Sequence, residues 1–572
     1  MPKEKAAEGA AEFRAARDLL LELREDQEAA RREFTWPRPA AFNWALDHFD
    51  EVARRRPDRT ALWIVEENGS EARYSYRHLS ERSNQVANWL HAQGVRPSDR
   101  ILVMLGSQVE LWEVVLAAVK LGAVVLPTAV ALSEADLMDR MDRGGVRHVV
   151  CAPTETEKFV GMQGHWTRIC VGYMDGWLAY PDSEHTALEF YPPRPTAPDD
   201  PLLMYFTSGT TAKPKLVTHT QHSYPVGHLS TMYWLGVQPG DVHLNVSPPG
   251  WGKHAYGSVF GPWNAEATVL VVNQLRFRVE RLLDEVVRCG VDTLCMPPTV
   301  WRMLLRNDLA SWEVGLREAL SAGEPLAPDV LERVHEAWGI PVRDGFGQTE
   351  TTMIVGNGPG QPIVPGSMGR ELPGFRVEIV SPDTDDPAET GELCVDLAEA
   401  PVGVMRGYTD DGDLTRQVTR RKLYHTRDMV TRGPDGQITY VGRFDDVFKA
   451  SDYRISPFEI ESVLVEHEYV AEAAVVPSPD PLRGSVVKAY VSLREGVEPG
   501  EEAARAVLAH ARGRLSPYKR VRRLEFAALP KSVAGKIRRV QMRRTEAARG
   551  TIPEGERHPH EYWEEDLPGL GA

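Results

Sequence analysis

The stretch ILVMLGSQVELWEVVLAAVKLGAVVL, residues 101–126, decides the fold class. Ile101–Leu105 is an apolar run of strand length, Glu110–Leu121 carries apolar residues at helical spacing, and Val124–Leu126 begins a second short apolar run. Strand, helix, strand in so few residues is a parallel βαβ unit. The rhythm extends on both sides, with a helix over Tyr76–Gln93 before it and an apolar run Val146–Cys151 after it. It returns at Ala267–Val272, Arg278–Cys289 and Asp292–Met296. These segments predict an α/β protein whose large N-terminal lobe is made of doubly wound βαβ subdomains.

After Gly374 the pattern changes. Phe375–Val380, Gly391–Val395 and Gln437–Val441 read as strands separated by Asp, Gly and Pro, with no helix between them. They predict a small β-rich subdomain over about 375–444. Beyond it, a helix at Pro457–His467, strands at Ala471–Val476 and Val486–Leu493, and a helix at Glu501–Leu515 predict a smaller α+β domain over 445–549. The large domain then spans 37–444, behind an extension over 1–36 that carries one amphipathic helix at 5–33. The Pro-, Glu- and Gly-rich residues 550–572 read as a flexible tail.

The full chain of 572 residues exceeds a single core and is ordinary in composition, with 42% hydrophobic and 26% charged residues. A net charge of −16 argues against general nucleic-acid coating, which needs clustered Lys and Arg. The five cysteines are scattered without metal-ligand spacing, as in a reducing compartment. The N-terminus lacks a signal-peptide pattern, and no apolar stretch is long enough to span a bilayer, since Leu111–Leu126 contains Glu113 and Lys120. The expectation is a cytoplasmic protein without membrane insertion; a homo-oligomer stays open.

Three segments carry chemistry. Leu202–Phe206 runs into Thr207-Ser208-Gly209-Thr210-Thr211-Ala212-Lys213-Pro214-Lys215, a strand ending in a loop dense in hydroxyls and lysines. Such a loop donates hydrogen bonds and charge to phosphate oxygens, although its spacing is not that of a P-loop. In Asp344-Gly345-Phe346-Gly347-Gln348-Thr349-Glu350 a ring between glycines is followed by a hydroxyl and a carboxylate, suited to stacking a purine, touching phosphate and holding Mg²⁺. Far downstream, Lys536 sits on a glycine-punctuated turn in Ala528–Arg539.

In order, Thr207–Lys215, Gly323-Glu324-Pro325, Gly345–Glu350, Tyr424–Asp428, Gly442–Asp446 and Gly535-Lys536 resemble the adenylate-forming (AMP-binding) superfamily over about residues 40–545. The text around Pro248–Tyr256 and Gly366–Gly369 is most similar to its medium-chain and acetyl-type acyl-CoA synthetases. The resemblance implies an ATP- and Mg²⁺-dependent acid–thiol ligase of fatty-acid-type metabolism, which makes an acyl-adenylate, releases pyrophosphate and passes the acyl group to CoA. It places Thr207, Ser208, Gly209, Thr210, Thr211 and Lys215 around the ATP phosphates, Gly323, Glu324 and Pro325 beside the adenine, and Asp344, Gly345, Phe346, Gly347, Gln348 and Thr349 along the nucleotide. Phe346 would stack on the base, Thr349 would contact the α-phosphate and Glu350 would hold Mg²⁺. Asp428 would accept the ribose hydroxyls with Arg443 nearby, Asp445 would be the hinge of a rotating C-terminal domain, and Lys536 would reach the reacting oxygens.

The acyl pocket is expected at Trp251, His254, Ala255 and Tyr256, with His254 a lining residue and not a base, since the acid is already ionised at neutral pH. CoA is expected at Ser451, Asp452, Tyr453, Arg454, Arg483 and Lys519. The chain departs from the family text at Ala212, Leu216, Arg427 and Asp452; Ala212, Arg427 and Asp452 stand where glycine is common. Asp452 falls where the resemblance implies the pantetheine channel, so this departure bears on the thioester step more than on adenylation. A carrier-protein thiol, an amine, or a nitrite-using diazo-forming variant are the alternative readings.

Overall fold

The stretch over 101–126 folds as its pattern dictates. Strand Arg100–Met104 lies parallel to strand Val124–Pro127, joined by helix Val109–Leu121. Gly122 ends that helix in the left-handed conformation, φ 75°, which glycine adopts without a Cβ clash. The computed structural model describes residues 2–207, 214–382, 384–444, 446–450, 453–480, 484–531, 537–549 and 557–567. They fall into two compact units, residues 1–378, 394–425 and 433–439 in one and 379–393, 426–432 and 440–572 in the other.

The first unit holds two sheets. In one, the strand order is Gly407–Tyr408, Lys215–Thr220, Pro201–Thr207, Val124–Pro127, Arg100–Met104, His148–Cys151, Thr167–Cys170, Leu178–Ala179. Neighbours from Pro201–Thr207 onward are parallel, while Lys215–Thr220 turns back antiparallel. The other places Val342–Gly347, Glu318–Ala322, Thr293–Met296, Val242–Asn245, Thr268–Val272 and Thr60–Val65 side by side as parallel neighbours, flanked by antiparallel Met353–Gly356 and Glu71–Ser75. Helices such as Val279–Arg288 and Pro328–Trp338 bury one apolar face against it through Leu282, Leu283, Val286, Val330 and Val334.

The N-terminal extension differs from the expected single helix. It is two helices, Pro2–Glu22 and Gln27–Glu33, because the Asp26 carboxylate accepts the Ala29 N–H at 2.9 Å and caps a new helix start. Arg17 pairs with Glu266 at 2.7 Å, Arg24 with Glu318 at 2.6 Å, and Gln27 donates to the Glu371 carbonyl at 3.1 Å. The extension is thus fastened to the first unit by buried polar contacts that its apolar spacing did not announce.

The stretch read as free of helices contains one, Gly412–Val418, started by the Asp411 side chain on Leu414 N–H at 2.8 Å. In the second unit a sheet runs Val470–Asp480, Gly484–Leu493, Arg523–Phe526, Glu561–Trp563, packed under helices Pro457–Val465 and Glu501–Arg514. Its last strand lies within the stretch read as a flexible tail. Trp563 is held there between the guanidinium groups of Arg523 and Arg557, each 4.1 Å from its ring centroid, a contact invisible to composition. No helix among the described residues is long and apolar enough to cross a membrane.

Candidate active site

Strand Pro201–Thr207 delivers Thr207 opposite Lys215 in an antiparallel pair, so the strand-to-loop reading of this segment sets both ends of the hydroxyl-rich loop side by side. Ser208, Gly209, Thr210 and Thr211 lie outside the described residues, as does Lys213. Lys215 Nζ sits 5.2 Å from the centroid of the Tyr408 ring, and the Tyr408 hydroxyl donates to Glu350 Oε1 at 2.8 Å. Thr207, Lys215, Tyr408 and Glu350 therefore form one neighbourhood, a cation and hydroxyls near a carboxylate only 8% exposed. A single oriented carboxylate is the donor that Mg²⁺ takes when substrate phosphates supply the remaining ligands. Glu350 fits that role.

Thr349 is fixed from behind by His219, whose Nε2 lies 2.7 Å from the Thr349 carbonyl oxygen. Burial lowers the His219 pKa to about 4. The neutral ring must carry its proton on Nε2, because a carbonyl only accepts, and Nδ1 then accepts from Ser223 Oγ at 3.1 Å. Gln348 Oε1 accepts from the Tyr424 hydroxyl at 2.7 Å. A Cβ built at Gly252 would stand 3.9 Å from the Tyr224 hydroxyl and 4.0 Å from Thr349 Oγ1, so the start of the acyl-pocket loop lies against the Thr349 side chain.

The glycines around Phe346 answer first to packing. A Cβ at Gly345 would fall 2.5 Å from the Trp234 ring, and one at Gly347 would fall 2.5 Å from the Thr352 carbonyl oxygen. Phe346 itself is half-buried on strand Val342–Gly347. Asp344 is 6% exposed, accepts the Gly345 N–H at 2.9 Å, and has its pKa raised to about 7 by burial, against the lowering effect of backbone hydrogen bonds from Gly345 and Leu326 and of the Lys253 charge. Gly323, Glu324 and Pro325 follow strand Glu318–Ala322, whose Ser321 is the register partner of Asp344. Lys253 Nζ donates to the Ala322 carbonyl at 3.0 Å, tying the Trp251–Tyr256 segment to the end of strand Glu318–Ala322, and Glu324 lies 3.7 Å from Arg302.

Gly250, at φ 93°, brings its backbone against Ala129, where a Cβ would stand 2.4 Å from the Ala129 nitrogen; glycine is the residue that fits. The turn starts helix Gly252–Ala255 and presents Trp251, His254 and Ala255 to one apolar cavity, together with Val103, Leu111, Trp112 and Tyr205. Tyr256 is not among its lining residues. The His254 ring, 5.6 Å from that of Trp112, is kept neutral by burial, with a pKa lowered to about 4.

In the second unit, Asp428 is 3% exposed and is held by the Tyr440 hydroxyl at 3.2 Å and by Arg443 Nη1 at 3.3 Å. Asp445, Ser451, Asp452, Arg483 and Lys536 lie outside the described residues. Tyr453 and Arg454 belong to strand Tyr453–Ile455, and Lys519 is engaged by Glu459. Sequence reasoning passed over Tyr205, His219, Tyr408 and Tyr440. Each sits in a strand or just past one, where an aromatic or histidine reads as ordinary core.

The AMP-binding enzyme family model matches residues 49–409, and that of the AMP-binding enzyme C-terminal domain matches 459–536. The chain is 38% identical over 525 residues to 4-hydroxybutyrate–CoA ligase 1 of Metallosphaera sedula, covering 88% of this chain and 91% of that one. It is 36% identical over 528 residues to the mitochondrial acyl-coenzyme A synthetase ACSM4 of Homo sapiens, covering 89% and 91%. Among solved structures, an anthranilate CoA ligase, AuaEII, in complex with anthranoyl-AMP superposes with a TM-score of 0.80 at 25% identity, covering 89% of this chain and 99% of that one.

These relatives overturn the cytoplasmic expectation, because ACSM4 of Homo sapiens and ACSM3 of Mus musculus are mitochondrial enzymes. Reduced, scattered cysteines suit any reducing compartment and do not single out the cytoplasm. With family models matching 49–409 and 459–536 and a likeness extending over most of each relative, the chain belongs to the AMP-binding enzyme family and is an ATP-dependent, adenylate-forming acid-activating ligase of the acyl-CoA synthetase type.

Proposed function

We propose that the chain joins a carboxylic acid to CoA in two half-reactions. In the first, a carboxylate oxygen attacks the α-phosphorus of ATP and the bond to pyrophosphate breaks. In the second, the CoA thiol loses its proton, its sulfur attacks the acyl carbonyl carbon, and AMP leaves. The observation that carries this reading is the likeness at 38% identity, over 91% of its length, to a protein that is a CoA ligase.

Within this reading Thr207, Lys215 and the loop between them receive the phosphates, and Gly323–Pro325 with Phe346 receive the base. Glu350 holds Mg²⁺, which when bound neutralises phosphate charge; Tyr408 keeps that carboxylate oriented. Thr349, positioned by His219, offers its hydroxyl to the α-phosphate. Asp428 takes the ribose hydroxyls, kept in place by Tyr440 and Arg443. Lys536 offsets the charge that builds as two anions meet, and Asp445 is the pivot that brings the C-terminal domain from one half-reaction to the other. The basic residues Arg454, Arg483 and Lys519 meet CoA, with Asp452 beside its thiol arm.

A panel of acids assayed for pyrophosphate release with and without CoA, and for thioester formation, tests the acceptor. Pyrophosphate release with no thioester would move the assignment to another acceptor. Lys536→Ala is expected to lower adenylation by about 10²–10³-fold while sparing transfer from supplied acyl-adenylate. Equal loss in both half-reactions would sink the role given to Lys536.

A further inference from the structure

Resting on the acid-activation reading, we infer that Tyr205 is the specificity-determining residue of the acyl cavity and that the acid it selects is a short aliphatic one carrying an uncharged hydroxyl on its chain. Val103, Leu111, Val259 and Phe260 make the cavity apolar, and among the described residues no Lys, Arg, Asp or Glu lines it. Its polar side-chain atoms belong to Tyr205, the neutral His254 and the indoles of Trp112 and Trp251. Tyr205 is 2% exposed and its hydroxyl is buried without a hydrogen-bond partner of ordinary geometry; the Tyr224 hydroxyl is near enough to perturb it but does not close such a bond. The Trp112 N–H, by contrast, is already spent on the Ser258 carbonyl at 2.8 Å.

A buried hydroxyl without a partner is costly, and the cost persists if an alkyl chain fills the cavity. A hydroxyl on the acid removes it by donating to, or accepting from, Tyr205. The neutral, cation-free lining rejects a second carboxylate, which would enter without a counter-charge. A site that hydrogen-bonds a substrate hydroxyl discriminates against the analogue lacking it far better than an apolar pocket discriminates by size. The same residue sits in strand Pro201–Thr207, two positions before Thr207, so the specificity group and the phosphate loop share one rigid element.

The test measures acid-dependent pyrophosphate release, without CoA, for butyrate, 3-hydroxybutyrate, 4-hydroxybutyrate, hexanoate and succinate. The expected result is a kcat/KM for at least one hydroxybutyrate about tenfold or more above butyrate, with succinate inactive. Tyr205→Phe, which removes one oxygen and keeps the ring, is expected to collapse that preference to within about twofold. Retained circular dichroism and ATP binding show that the variant is folded. A wild-type preference for butyrate or hexanoate, turnover of none of these acids, or a Tyr205→Phe enzyme with its preference intact would overturn the inference. Because CoA is left out, a hydroxy-acid preference without thioester formation would overturn the CoA reading and leave this one standing.

Discussion

Asp344 in the first unit and Glu546 in the second are equally hidden carboxylates with opposite electrostatics. Asp344 is 6% exposed and Glu546 is 2% exposed. Burial raises the Asp344 pKa to about 7, since only backbone N–H groups and the field of Lys253 oppose it. Burial also acts to raise that of Glu546, but the Lys488 charge and hydrogen bonds from Lys488, Tyr490 and Ser478 outweigh it and hold the group below the ordinary carboxylate range. In the second unit Lys488 Nζ stands 2.8 Å from Glu525, 2.8 Å from Glu546 and 3.1 Å from Glu561, and Arg549 closes the set. Complete pairing marks a group that holds the fold. Asp344 is served by backbone N–H donors with, among the described residues, no cation in hydrogen-bond contact, and burial then sets the sign of its shift.

The strongest way to break this contrast is to remove the cation. Lys488→Met leaves buried carboxylates facing one another, and the expected loss is about 3–5 kcal/mol of stability in the second unit. Denaturant unfolding, together with hydrogen exchange along strand Gly484–Leu493, reads it. A loss below about 1 kcal/mol would mean the cluster is not the structural device described.

A smaller effect of defined sign is expected at Asp344. Its folded pKa of about 7 lies above the ordinary aspartate value of 3.8, so the folded state binds the proton more tightly than the unfolded chain does. The stability tied to that proton is complete below about pH 4 and is lost as pH rises to about 7, up to an upper bound of about 4 kcal/mol. Asp344→Asn, which keeps an acceptor for the Gly345 N–H, removes this loss. Its melting temperature is expected to exceed that of the wild type at pH 8, with the difference shrinking steadily toward pH 5. A difference independent of pH would show that Asp344 is not protonated in the folded protein near neutrality.

The same contrast explains what could be read from the sequence. The βαβ rhythm of 101–126 and the order of the motifs were legible because strand and helix periods are local, and the glycines of the loops stand at fixed offsets. The break at Asp26, the helix at Gly412–Val418 and the strand at Glu561–Trp563 were not, because a side-chain cap, a short polar helix and a cation–ring sandwich depend on partners the spacing does not reveal. Tyr205 was hidden by its place in an apolar strand, where a satisfied core tyrosine and an unpaired one have the same sequence. Of the candidate site, the segments were legible, while the assembly of Glu350 with Tyr408 and of Thr349 with His219 required the fold.

Asp428 provides the finest test, since it lies between the two extremes, hydrogen-bonded to Tyr440 and Arg443 yet next to a strained residue. Arg427 has φ 62°, a left-handed backbone at the position where relatives commonly carry glycine. Its N–H donates to Glu392 Oε1 at 2.8 Å and its carbonyl accepts the Phe444 N–H at 2.8 Å, so the backbone is held in that shape from both sides. A non-glycine residue there costs about 1–2 kcal/mol, of which glycine would return part, since it loses about 0.5–1 kcal/mol more entropy on folding. Arg427→Gly is therefore expected to stabilise the protein by about 0.5 kcal/mol. Arg427→Ala keeps the strain while removing the guanidinium, and is expected to gain nothing. Melting temperatures of the two variants, measured side by side, separate torsion from charge: an equal gain in both would assign the cost to the guanidinium, and no gain in either would show that the held backbone at Arg427 carries no strain.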